Sequence, residues 1–140
     1  MITLTEGQIL KQSEPLRFTE RGIYFLIKGD RVVYVGQSRH NMLVRIADHT
    51  HSKDFDSVAV HAVAERWSSD DLDELEAEYI WELEPPYNGN LPPSSRYMAK
   101  PALKGALGVT GHRLNQILRK SRATPRLGKY YDIEELKPFL

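Results

Sequence analysis

The first strong pattern along the chain is a pair of β-branched and aromatic runs, "GIYFLI" at 22–27 and "RVVYVG" at 31–36, separated by "KGD". Such runs around a Gly-containing turn predict a β-hairpin. Two registers are open. A two-residue Gly29-Asp30 loop opposes Ile27 to Val32 and Tyr24 to Val35, which leaves Tyr24 and Tyr34 on opposite faces. A three-residue loop centred on Gly29 pairs Tyr24 directly with Tyr34. Downstream, "NMLVRIADHTH" has helical spacing, with Leu43, Ile46 and Ala47 on one side and Arg45 and His49 one turn apart on an adjoining one. "SVAVHAVA" at 57–64 predicts a third strand. "SSDDLDELEAEYIWELE" predicts a long helix with Ser68 and Asp71 as a capping pair, stopping near Pro85-Pro86.

After that helix, "YNGNLPPSSRY" is rich in turn formers and reads as a loop running into a linker, with a domain boundary near residues 92–99. The remainder predicts a short helix at 102–107, a tight turn at 108–111, a second helix at 112–120, an extended basic segment and a last helix with Asp132 and Glu135 at capping-box spacing. Helix, Gly-containing turn, helix is the form of a helix-turn-helix. The expected architecture is therefore α/β of the α+β kind: a small three-stranded sheet, mixed or antiparallel, flanked by helices over 1–92, then a small helical unit over 93–140. Residues 1–21, with "QILKQSEPLRFTE", read as a leading helix and covering segment.

Composition adds little until it is resolved along the chain. The 140 residues balance 19 Lys/Arg against 19 Asp/Glu, but nine acids and one base, Arg66, lie between Glu65 and Glu84, while nine Lys/Arg and no acid lie between Leu91 and Tyr131. An acid-free tail with periodic apolar residues suggests a folded surface for polyanions. Cysteine is absent, which removes disulfides and thiolate metal sites and suits a reducing compartment. No apolar segment approaches the roughly 20 residues of a membrane span, and the start lacks the layout of a signal peptide. A soluble cytoplasmic protein with no membrane partner is the expectation.

Candidate chemistry is most constrained on the long helix. Leu72, Leu75, Tyr79, Ile80 and Leu83 share a stripe at about 100° per residue, and Glu76 falls inside it, whereas Glu74, Glu78 and Glu82 do not. A carboxylate on the buried side must be paired, for example with Arg45, or must hold a cation. Arg45 and His49, one turn apart, either converge on one anion or form a surface pair. His40, His51 and His61 have no comparable companion, and no phosphate loop or acyl-transfer motif is present.

Taken together, "GIY" at 22–24, "YVG" at 34–36, an Arg nine residues after Gly36, and Glu76 twelve residues before Asn88 in "PPYN" resemble the GIY-YIG nuclease family over residues 22–88. The resemblance implies a metal-dependent DNA endonuclease, cytoplasmic and bacterial or phage-encoded, with Tyr24 and Tyr34 side by side and the three-residue register. It implies that Tyr34 orients or deprotonates water, Arg45 binds the scissile phosphate, Glu76 holds one Mg²⁺ or Mn²⁺, and Asn88 fixes the substrate side. His49 stands where the family commonly has Tyr or His, and Gln37 where many relatives have Lys. The tail more loosely resembles helix-turn-helix or excisionase-like modules, implying DNA contacts from Arg113, Asn115, Gln116 and Arg119, with Arg122, Arg126 and Lys129 following the backbone as a wing. The alternative for the tail is a mini-domain packed on the nuclease for stability. One site per chain implies nicking, or double-strand cleavage by a homodimer or sequential cuts. The alternatives are an inactive DNA-binding scaffold and a nuclease for RNA or branched structures.

Overall fold

A computed structural model describes residues 5–6, 21–64 and 66–140; the predicted leading helix lies outside the described residues. The front half is a three-stranded antiparallel sheet in the order β2-β1-β3, formed by β1 (Gly22–Lys28), β2 (Arg31–Ser38) and β3 (Ser57–Ala62). Helix α1 (Met42–Asp48), continued by a 3₁₀ turn at His49–His51, packs on one face; α2 (Ser69–Leu83) packs on the other. The protein is thus α+β, as its pattern predicts, and the sheet is wholly antiparallel.

Neither expected register forms. The turn is the two-residue one, pairing Ile27 with Val32, but a bulge then shifts the ladder so that Leu26 opposes Tyr34 and Tyr24 opposes Gly36. Val33 is the extra residue. A bulge sends two successive side chains to the same side of the sheet, and Val33 and Tyr34 both join Tyr24, Leu26 and Met42 in the cluster under α1. The direct Tyr24–Tyr34 pairing is therefore wrong, yet the phenols share a face as diagonal neighbours, with ring centroids 6.2 Å apart.

The residues by which α1 packs on the sheet also differ from the expected stripe. Met42 is buried and Ile46 packs on the sheet, while Leu43 and Ala47 are exposed. Asn41 caps the helix by accepting from the Val44 N–H at 3.1 Å. On α2 the capping box is present in both directions, from Asp71 N to Ser68 Oγ at 3.1 Å and from Ser68 N to Asp71 Oδ2 at 2.9 Å. The inner stripe of Leu72 and Ile80 packs with Ile23 and Val35. Leu83, expected in that stripe, is exposed. Ala77 and Trp81 are buried instead, on a second face covered by Tyr97, Leu91 and Tyr130 from far downstream.

The tail forms α3 (Lys100–Leu107), α4 (Gly111–Ser121) and α5 (Ile133–Leu136), with a two-stranded antiparallel sheet of β4 (Tyr97–Ala99) and β5 (Tyr130–Asp132). Gly108 ends α3 in the left-handed conformation, which glycine adopts without a Cβ penalty, and Thr110 caps α4 through the Arg113 N–H. Leu103, Leu114, Ile117, Ile133 and Leu136 give this unit its own core. Asp132 caps α5 through the Glu134 N–H and holds Arg96 in a two-pronged pair at 2.9 and 3.0 Å. No described helix is long and apolar enough to cross a membrane.

Candidate active site

The site grows from the contact between Tyr24 and Gly36. Tyr24 is fully buried, and its ring occupies the space above Gly36 that a side chain would fill; a Cβ there would collide with Tyr24 Cζ and its hydroxyl. This is the chemical reason for glycine in "YVG". At Gly22 a Cβ would likewise collide with the His61 carbonyl on β3.

From α1 and its 3₁₀ extension, His49 turns inward and joins the phenols. Its Nε2 lies 2.8 Å from the Tyr24 hydroxyl, and its ring centroid is 4.6 Å from that of Tyr34. Lys53, one turn further on, puts its ammonium 4.6 Å from the Tyr34 ring centroid, a cation–π distance. Burial, with the charges of Lys53 and Arg45, pushes the His49 pKa below its ordinary value, so the imidazole is neutral at pH 7. Burial and the Tyr34 neighbour push Tyr24 up to about 12. Burial and the Glu76 carboxylate raise Tyr34 too. Neither phenol is a ready base; the imidazole is.

Arg45 and Glu76 come from opposite faces of the sheet and line one open cavity of about 570 Å³ at the end of β2, together with Gln37, Ser38, Arg39, His40, Asn41 and Val44. The charges of both act on the ionisation of both phenols. Arg45 is exposed, and it forms no ion pair with Glu76. The carboxylate is held instead by Gln37, whose Nε2 donates to Glu76 Oε2 and to Asp73 Oδ1, both at 2.6 Å. Arg39 closes the group, donating from Nε to Gln37 Oε1 at 3.3 Å and lying 3.5 Å from Asp73. Burial raises the Glu76 pKa, which the Gln37 hydrogen bond partly offsets. A second cavity, about 610 Å³, lies on the other flank of α2 beside Trp67 and Tyr97 and includes none of the expected site residues.

Asn88 is buried, with its amide engaged by the backbone: Oδ1 accepts from Val35 N and Nδ2 donates to Val35 O, each at 2.9 Å. With Tyr87 N donating to Val33 O at 3.0 Å, the "PPYN" segment seals the open edge of β2 as a neighbouring strand would. Asn88 thus holds the strand carrying Tyr34 and Gly36.

The sequence marks Gln37 only as standing where relatives of the resembled family have Lys, and it does not single out Asp73, Arg39 or Lys53. Asp73 was legible, one turn before Glu76 on the same helix face. Lys53 was not, because the 3₁₀ turn after α1 breaks the helical spacing on which its position depends.

As a metal site the donor set is sparse. Among the described residues no group of three or more His, Asp or Glu converges. Among the described residues none donates a hydrogen bond to Glu76 Oε1, and Glu76 lines the cavity. One carboxylate oxygen beside an open cavity fits a weakly held, largely hydrated Mg²⁺ or Mn²⁺, and not a two-metal site.

In the tail, Asn115, Arg119 and Arg122 are exposed, and Arg119 and Asn115 line a shallow basic cavity of about 440 Å³ with Lys100. Arg113 and Gln116 are half-buried and in contact with each other at 3.5 Å. Arg126 and Lys129 lie on a tight turn and reach back to the front half. Arg126 donates to the Trp81 carbonyl at 2.8 Å and lies over the Trp81 ring; Lys129 donates to Asn90 Oδ1 at 2.8 Å. Compared with family models, curated proteins and solved structures, the chain has no match.

Proposed function

We propose that the chain is a metal-dependent DNA endonuclease with a GIY-YIG-type catalytic fold, Mg²⁺ or Mn²⁺ at Glu76, and a helix-turn-helix-like tail that binds duplex DNA. The observation that carries this reading is the meeting of Arg45 and Glu76 in one cavity, beside paired phenols and a neutral imidazole. Phosphodiester hydrolysis needs those three things: positive charge on the phosphoryl oxygens, a base for water, and a hold on the leaving oxygen.

In this reading Arg45 binds the non-bridging oxygens of the scissile phosphate. Tyr34, partly open to solvent, orients the attacking water. The Tyr24 hydroxyl and His49 Nε2 share a proton across 2.8 Å, so a proton taken up at the phenol oxygen passes to the imidazole. Gln37 fixes the Glu76 carboxylate and leaves Oε1 for a cation. The ion, when bound there, supplies positive charge to the departing oxygen. For the tail, the exposed Asn115, Arg119 and Arg122 together with Lys100 offer the cationic face of α4 to a DNA groove and backbone.

Supercoiled plasmid with Mg²⁺ or Mn²⁺ tests the proposal. Conversion to open circles is expected, and retention of the supercoil by protein that still shifts the plasmid on a gel would favour an inactive binding scaffold. Faster cutting of RNA or forked substrates would assign it to that third class.

A further inference from the structure

The tail is not tethered by a loose linker. Residues 91–97 run back along α2: Ser94 Oγ and Ser95 N both donate to the Glu74 carboxylate, and Tyr97 stacks on Trp81 at 4.4 Å with the rings 15° apart. The chain then builds α3 and α4 and returns to the same helix with a tight turn at 126–129. Arg126 and Tyr130 bridge on either side of it, through Arg126 N to Tyr130 O at 2.8 Å and Tyr130 N to Arg126 O at 3.0 Å. The two central residues, Leu127 and Gly128, have φ of 51° and 79°.

Leucine is a poor choice for the first of these positions, where Asn or Gly is favoured, because a Cβ is crowded at positive φ. A residue held in a sparsely populated conformation persists when its surroundings over-determine it. Here the surroundings are the core of the catalytic module, since the Leu127 side chain packs against the cluster of Ile23, Val35, Leu72 and Ile80. Beside it, Arg126 holds the Trp81 carbonyl and lies 3.5 Å from the Glu84 carboxylate, both at the C-terminal end of α2, and Lys129 reaches Asn90.

We infer that this turn is a latch: Arg126 and Leu127 lock the tail to α2, and with it fix the separation between α4 and the cavity at Glu76. They are positioning residues. If the chain cuts DNA as proposed above, on which this consequence rests, the break falls at one fixed offset from the segment bound by α4.

Because the chain contains no cysteine, spin labels at Asp30→Cys and Lys120→Cys, both exposed, report a single distance between the two units in the full chain. A narrow distribution is expected in the parent and a broadened one in Arg126→Ala with Leu127→Asn. Asparagine suits the turn better than leucine, so a residue serving only the turn would leave the distribution narrow, and that result overturns the latch. Should the double variant lose its fold, Leu127→Asn alone keeps the same two outcomes. Binding to duplex DNA supplies a second arm. A drop of about 0.9 in the slope of log K against log salt for Arg126→Ala marks a phosphate contact and also overturns the latch; an unchanged slope supports it. In a cutting protein, the variant's breaks spread over several positions while the parent's fall at one. A parent that cuts nothing removes the nuclease reading, and the label distances still decide the latch.

Discussion

At the scale of single residues, the site depends on one missing side chain. Gly36 leaves room for the Tyr24 ring, which in turn meets His49. Gly36→Ala is expected to push Tyr24 off the strand, costing about 1–3 kcal/mol as overpacking does, and to remove most of the cleavage rate; urea unfolding and a cleavage time course check the two effects. The titrating groups have opposite signs. His49, depressed by burial and by Lys53, contributes stability that is fully present above pH 6.5 and lost as pH falls through its lower folded value. Tyr24, raised to about 12, contributes stability that is full below pH 10 and lost as pH rises toward 12. With His49 as the base, the acid limb of the cleavage pH profile is expected below pH 6.5, and Lys53→Ala moves that limb upward. A limb that ignores Lys53 removes His49 from the role.

At the scale of elements, the three strands, the Ser68–Asp71 capping box, the Gly108 stop and the two tail helices were all legible, because each is decided by neighbours within a few residues. What was not legible depends on distant partners. The hairpin register turns on a bulge at Val33, which is secured from outside the hairpin: Tyr87 N bonds to the Val33 carbonyl and Asn88 to Val35. The second buried face of α2 is set by Tyr97 and Tyr130, so Ala77 and Trp81 give no sign of it within the helix. Likewise, nothing near Arg126 in the basic segment signals its partner, a carbonyl 45 residues earlier. Asn88→Ala tests the edge seal. It leaves the Val35 N–H and C=O without partners and is expected to cost about 1–3 kcal/mol, with cleavage falling further than stability requires as β2 loosens around Tyr34. A combined denaturation and rate measurement separates the two.

At the scale of the whole molecule, α2 is the common support. Its inner face completes the core of the sheet, its flank presents Glu76 to the cavity, and its outer face and C-terminal end carry the tail. Charge follows the same division, with acids concentrated on this helix and bases on the tail. Two neighbours of Glu76 on α2 are engaged elsewhere, Glu74 by Ser94 and Ser95 and Asp73 by Gln37 and Arg39. Glu76 combines partial burial with a cavity shared with Arg45. The most direct measurement is therefore the single-turnover cleavage rate of Glu76→Gln in Mg²⁺ beside its affinity for the same DNA. The expected result is a rate at least about 100-fold lower, the scale of losing one transition-state charge contact, with affinity unchanged; cleavage at the parent rate would contradict the central claim.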